Sequence, residues 1–124
     1  MCLITLGSEQ VADRDIVCYK ILMRRTNYFV SPYLEYRYDI PSTVEDTAEE
    51  KYFKAMRGAK MVGSGFLHAF RTYIAATHWK GVMQGREPYT SFVIAECIIP
   101  AGTRYYFGTS GDICSKKLKL VKII

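Results

Sequence analysis

The chain has 124 residues, enough to bury one hydrophobic core and too few for two, so residues 1–124 are expected to form a single globular domain. With 49% apolar, 14% aromatic and 23% charged residues, its composition excludes extended disorder away from the termini. Seventeen basic against twelve acidic side chains leave a formal charge of +5, a bias too modest to demand a polyanionic partner.

Residues 1–6 are apolar but too short to span a membrane, and they lack the basic leader and cleavage site of a signal peptide. A cytoplasmic protein with no membrane partner is expected. Cys2, Cys18, Cys97 and Cys114 form no C-x-x-C pair, and Cys18 and Cys97 fall inside apolar runs, which points to reduced, buried thiols.

Taken in order, residues 2–6 can pair as a short strand and residues 7–15 form a polar loop. Residues 15–24, DIVCYKILMR, read as a strand with Val17, Tyr19, Ile21 and Met23 on one face and Ile16, Cys18, Lys20 and Leu22 on the other. Lys20 is then an ammonium in a buried row; its head must reach water or meet a carboxylate. A turn at residues 24–27, an extended piece at 28–30 and the Ser31-Pro32 break follow. In residues 33–40, Leu34, Tyr36 and Tyr38 alternate as a packed face against Glu35, Arg37 and Asp39.

Ser42 and Glu45 have capping-box spacing, with acidic residues early and Lys51, Lys54 and Arg57 late. A helix over residues 43–56 is expected, with Val44, Ala48, Tyr52 and Ala55 or Met56 inward and Gly58 as its cap. Gly63-Ser64-Gly65 and Phe66 to Phe70 lead into a second helix over residues 72–84, with Ala75, Trp79, Val82 and Met83 inward. Residues 91–99 form the most evenly apolar strand, ended by Pro100 and Gly102 and followed by a strand at 104–107. After a turn at 108–111, residues 115–124 alternate Leu118 and Leu120 with Lys117 and Lys119 as a half-exposed strand; Lys116, Lys117, Lys119 and Lys122 suit the protection of a sheet edge. The expected architecture is α+β: a mostly antiparallel, twisted β-sheet of five to seven short strands with one or two packed helices.

Lys20 and Glu96 are the charges inside the two most buried strands, so a mutual ion pair or a shared polar cleft is expected. The candidate cleft comprises Tyr19, Lys20, Ser64, His68 and Glu96, with His68 near a helix start where an anion could sit; the alternative for His68 is a hydrogen-bonded turn residue. His68, His78, Cys97 and Cys114 lack the paired spacing of a metal site, no catalytic triad order is recognisable, and no metal or cofactor is assigned.

Several segments together carry a resemblance. They are Tyr19-Lys20, the Ser31-Pro32-Tyr33 break, Gly65-Phe66-Leu67-His68-Ala69-Phe70 before a helix, the run from Glu96 to Thr103, Tyr105-Tyr106 and Cys114-Ser115-Lys116. On these residues the chain resembles an uncharacterised family of small proteins, a domain of unknown function, found in phage and mobile elements of gut bacteria. The resemblance covers nearly all the chain except residues 42–60 and implies a shared fold without an assigned activity. More distantly, the layout is similar to the ADP-ribosyltransferase-like fold. That likeness implies Lys20 in the place of an early basic residue, Ser64 or His68 near a nicotinamide contact, and Cys114-Ser115-Lys116 where those enzymes carry a catalytic Glu; no Glu stands before the final strand here.

The favoured function is a non-catalytic binding or interaction module of phage or mobile-element origin, its partner an unidentified protein or small ligand. An ADP-ribosyltransferase-like NAD-binding protein is the alternative. A further one is nucleic-acid binding through Arg37, Arg104, Lys117 and Lys119, with Tyr36, Tyr38 and Tyr105 as stacking surfaces.

Overall fold

A computed structural model describes residues 3–32, 35–55 and 59–124. Its elements run β1 (Leu3–Ile4), β2 (Gln10–Val11), β3 (Ile16–Arg24), β4 (Phe29–Val30), β5 (Arg37–Tyr38) and β6 (Ser42–Glu45). They continue through β7 (Lys51–Lys54), β8 (Lys60–Ser64), β9 (Leu67–Phe70) and the single described helix, α1 (Tyr73–Arg86). The chain closes with β10 (Phe92–Ile99), β11 (Arg104–Phe107), β12 (Asp112–Ser115) and β13 (Lys117–Ile123).

At the centre, β3 and β10 pair antiparallel from Ile16 opposite Ile99 to Met23 opposite Phe92. Both strands are apolar on alternate residues of both faces, as a ribbon covered on two sides requires. Around them the main sheet runs β2-β11-β12-β9-β3-β10-β13-β6, with β4 added to β3 and β5 to β4. A smaller sheet, β1-β8-β7, stands apart from this path. Every described strand pairing is antiparallel.

Connectivity forces the main sheet to roll. Three strands lie between β12 and β13, yet Lys116 alone joins them in the chain, so the sheet must curl until their ends meet. The inner face of the roll is filled by Cys18, Leu22, Ala95, Cys97, Leu118 and Leu120, all essentially inaccessible to solvent. Each buried Leu contributes about 1.5–3 kcal/mol relative to its exposed state.

Two pieces cover the outer face. Helix α1 begins where the Thr72 hydroxyl accepts a hydrogen bond from the Ala75 amide (3.1 Å), and lays Ala75, Ala76, Trp79 and Met83 over Ile21, Met23, Phe70, Phe92 and Ile94. The smaller sheet packs its Leu3 and Val62, with Phe66 of the turn that follows β8, on Tyr106 and Cys114. The α+β class and mostly antiparallel order agree with expectation, but the described residues form thirteen strands in place of the expected five to seven, and one helix where one or two are expected.

The expected helix over residues 43–56 is two strands instead. Thr43 and Val44 of β6 lie opposite Lys119 and Leu118, and β7 pairs with β8. The groups that suggested a cap are engaged elsewhere: the Ser42 hydroxyl donates to the Asp39 carbonyl, and Glu45 lies opposite Lys117. Met56 and Gly58, the expected end and cap of that helix, lie outside the described residues, as do Cys2, Tyr33 and Leu34. Tyr38 is buried as expected, whereas Tyr36 is 64% exposed because the extended backbone there shortens to Arg37–Tyr38. The lysines of β13 do not guard an edge, since β13 lies between β10 and β6. Cys18, Cys97 and Cys114 are free and buried.

Between β8 and β9 the chain turns at Gly65, whose φ is +89° and whose added Cβ would lie 2.7 Å from the Glu50 Cα. Gly65→Ala therefore meets both a left-handed backbone and a main-chain neighbour. It is expected to lower the unfolding free energy by about 2 kcal/mol, measured by urea denaturation. An unchanged midpoint would contradict this account of the turn.

Candidate functional site

β3 carries a break in its pairing. One edge is fully occupied by β10, so β9 and β4 must share the other. There β9 meets β3 at the single pair Tyr19 and Phe70, while β4 holds Met23 and Arg24 opposite Val30 and Phe29. Among the described residues, the stretch Lys20-Ile21-Leu22 has no strand partner on that edge. A cavity of about 410 Å³ opens at this break. Lys20 and Leu67 of the inner face and Ile21 and His68 of the outer face all line it, so it runs through the sheet rather than lying on it.

Lys20 stands opposite Ala95 and enters from the inner face, 7% exposed. Its ammonium donates to the His68 carbonyl at 2.6 Å and lies 5.3 Å from the centre of the Tyr38 ring. No carboxylate among the described residues pairs with it. Burial pushes this amine down from its ordinary 10.5 to about 8. The nearby Cys18 and Cys97 thiols are driven up by burial, Cys97 to about 12, and stay protonated.

His68 belongs to β9, opposite Cys114, and not to a helix start, so the expected anion site at a helix N-terminus does not form there. Both ring nitrogens are buried without a hydrogen-bond partner among the described residues. Burial first, and the Lys20 charge second, hold the imidazole down at about 3, so it is neutral. Ser64 lines the same cavity and donates to the Glu49 carbonyl at 3.0 Å.

Of the five residues read from sequence, Lys20, Ser64 and His68 therefore meet at one cavity. Tyr19 and Glu96 do not join them. Glu96 lies opposite Tyr19, one register step from Lys20, which places its side chain on the other face of the sheet. The Lys20–Glu96 ion pair is thus absent; Tyr19 instead packs edge-on against Tyr73 of α1. Ser115, in the segment matched to the catalytic Glu of the transferases, is buried and donates to the Lys117 carbonyl.

A clasp that local sequence does not signal holds the loop beside the cavity. Arg104 forms paired hydrogen bonds to Glu9 (2.7 and 2.9 Å) and to Glu50 (2.9 and 3.0 Å), and Tyr52 donates to Glu50 at 2.6 Å. These bonds lower the Glu50 carboxyl to about 2 and raise the Arg104 guanidinium further. At the other end of the loop, the Asp46 amide donates to the Lys116 carbonyl and the Asp46 carboxylate accepts from the Ala48 amide, each at 2.9 Å. Residues 46–48 so become a wall of the cavity.

The stacking surface expected from Tyr36, Tyr38 and Tyr105 does not form, because Tyr38 and Tyr105 are buried and Arg104 is committed to two carboxylates. Among the described residues no three His, Cys, Asp or Glu side chains gather as metal ligands, and no helix is long and apolar enough to cross a membrane. Comparison with protein-family models, with curated proteins and with solved structures returns no match.

Proposed function

We propose that this chain is a non-catalytic small-ligand-binding module, taking an apolar molecule with one anionic or carbonyl end into the break between β3 and β9. The observation that carries this reading is a buried amine, without a counter-ion among the described residues, on the wall of a cavity of about 410 Å³. Ligand sites commonly enclose about 300–1,000 Å³, with apolar walls and a few fixed polar groups. Phe66, Phe70 and Tyr38 supply the apolar wall here and Lys20 its cationic point, while Glu45 and Asp46 line the same cavity. The free, buried thiols support a reducing, cytoplasmic setting. The resemblance to phage and mobile-element proteins supports that origin.

The test is a fluorescence titration with 1-anilinonaphthalene-8-sulfonate, which joins an apolar ring system to one anion. One saturable site is expected, and Lys20→Met should weaken it about tenfold or more, the worth of one charge-assisted hydrogen bond of about 1.5–3 kcal/mol. Binding that Lys20→Met leaves unchanged would sink the reading. A second reading, NAD binding in the manner of the ADP-ribosyltransferase-like fold, draws support from Lys20, Ser64 and His68 lining one cavity. Millimolar NAD that raises the melting temperature would favour it, and no shift would count against it.

A further inference from the structure

We infer that the Lys20 amine captures carbonyl compounds covalently, as an imine, within the break between β3 and β9. The inference rests on the binding reading above and narrows its ligand class to aldehydes and ketones with an apolar body. Four observations support it. Lys20 reaches the cavity wall from a strand, so its position is fixed by the ladder to β10. Among the described residues its one hydrogen-bond acceptor is the neutral His68 carbonyl, and no carboxylate holds it as an ammonium. Phe66, Phe70 and Met83 line the same cavity and suit an apolar ligand. The competing nucleophiles beside it, the Cys18 and Cys97 thiols, are fully buried and held protonated.

The chemistry consumes no oxidant or reductant. The neutral amine adds through its lone pair to the carbonyl carbon, and the oxygen becomes the hydroxyl of a carbinolamine. Expulsion of that oxygen with the two amine hydrogens, as one water, leaves the C=N bond. The step needs an unprotonated amine. An amine held near 8 presents a neutral fraction near pH 7.5 on the order of a hundredfold larger than an ordinary surface lysine. Reversal by water releases the ligand, so the chain would carry or sequester a carbonyl compound stoichiometrically.

Reductive trapping tests this on the full chain. The protein is incubated with 2-naphthaldehyde and sodium cyanoborohydride at pH 7.5, and the labelled lysines are located by peptide mass mapping. The expected result is one naphthylmethyl group per chain, at least tenfold enriched on Lys20 over any other lysine and suppressed by excess 1-anilinonaphthalene-8-sulfonate. Lys20→Met and Lys20→Arg, each shown to melt cooperatively, should lose that label. Label spread over exposed lysines such as Lys119 and Lys122 without preference would overturn the inference. If Lys20 stays unlabelled while 2-naphthalenemethanol still displaces the dye, the imine is refuted and the binding reading stands. Failure of both the dye and the alcohol to bind, with Lys20 unlabelled, would remove both.

Discussion

Lys20→Met is expected to stabilise the protein at pH 7 by about 3 kcal/mol, less the fraction lost when the His68 carbonyl gives up its donor. The figure follows from the amine's descent from 10.5 to about 8 on folding. Below pH 8 the folded protein must carry a desolvated ammonium, and the cost is present in full. Between about pH 8 and 10.5 the unfolded chain binds more protons than the folded one, so the wild type gains stability as pH rises through that window. Methionine has no such dependence. The difference between variant and wild type should therefore be large at pH 7 and small near pH 10, read from urea unfolding at both values. A variant less stable than wild type at pH 7, or a difference indifferent to pH, would show that Lys20 is structural. A residue that costs stability where it stands, at the wall of a cavity, is what a functional position looks like.

Acid should expose His68 in the opposite window. The imidazole is held at about 3 when folded and returns to 6.5 when unfolded, so the unfolded chain takes up a proton that the folded one refuses. Stability is therefore intact above pH 6.5 and falls as pH drops, by about 2 kcal/mol at pH 5 and about 4 kcal/mol near pH 3. Glu9 and Glu50, whose carboxyls Arg104 holds low, add their own loss only below about 4.5. The interval from pH 6.5 to 5 thus isolates the histidine. In His68→Leu the decline over that interval should disappear, whereas an equal slope in wild type and variant would assign the acid sensitivity elsewhere. Because the Lys20 charge is the second cause of the low value, the decline should level off at a higher pH in Lys20→Met.

How much of this was legible before the fold was known differs by element. β3 and β10 announce themselves because both faces of each are apolar at period two, and α1 because Thr72 precedes a stretch with Ala75, Trp79 and Met83 at helical spacing. Residues 43–56 mislead because the spacing of Ser42 and Glu45 is a local signal, while what decides their conformation is the distant partner β13, whose Leu118 lies opposite Val44. For the site, a lone cation in an apolar row marks Lys20. The alternation within β3 and within β10 was readable, but the register between them was not. One step of register separates a Lys20–Glu96 contact from the observed pair with Ala95. The break that creates the cavity depends on where β9 leaves β3 and β4 joins it, and no residue in Lys20-Ile21-Leu22 encodes that departure.

The ladder between β3 and β10 also bears on how the chain reaches its native state. Every element from β4 to α1 lies between these two neighbours in sequence, so the heart of the sheet closes only after a long loop has been brought together. Slow assembly, on the order of milliseconds to seconds, follows from such non-local pairing. During synthesis β3 must wait, one edge unclaimed, until the ribosome has released the strand that completes it.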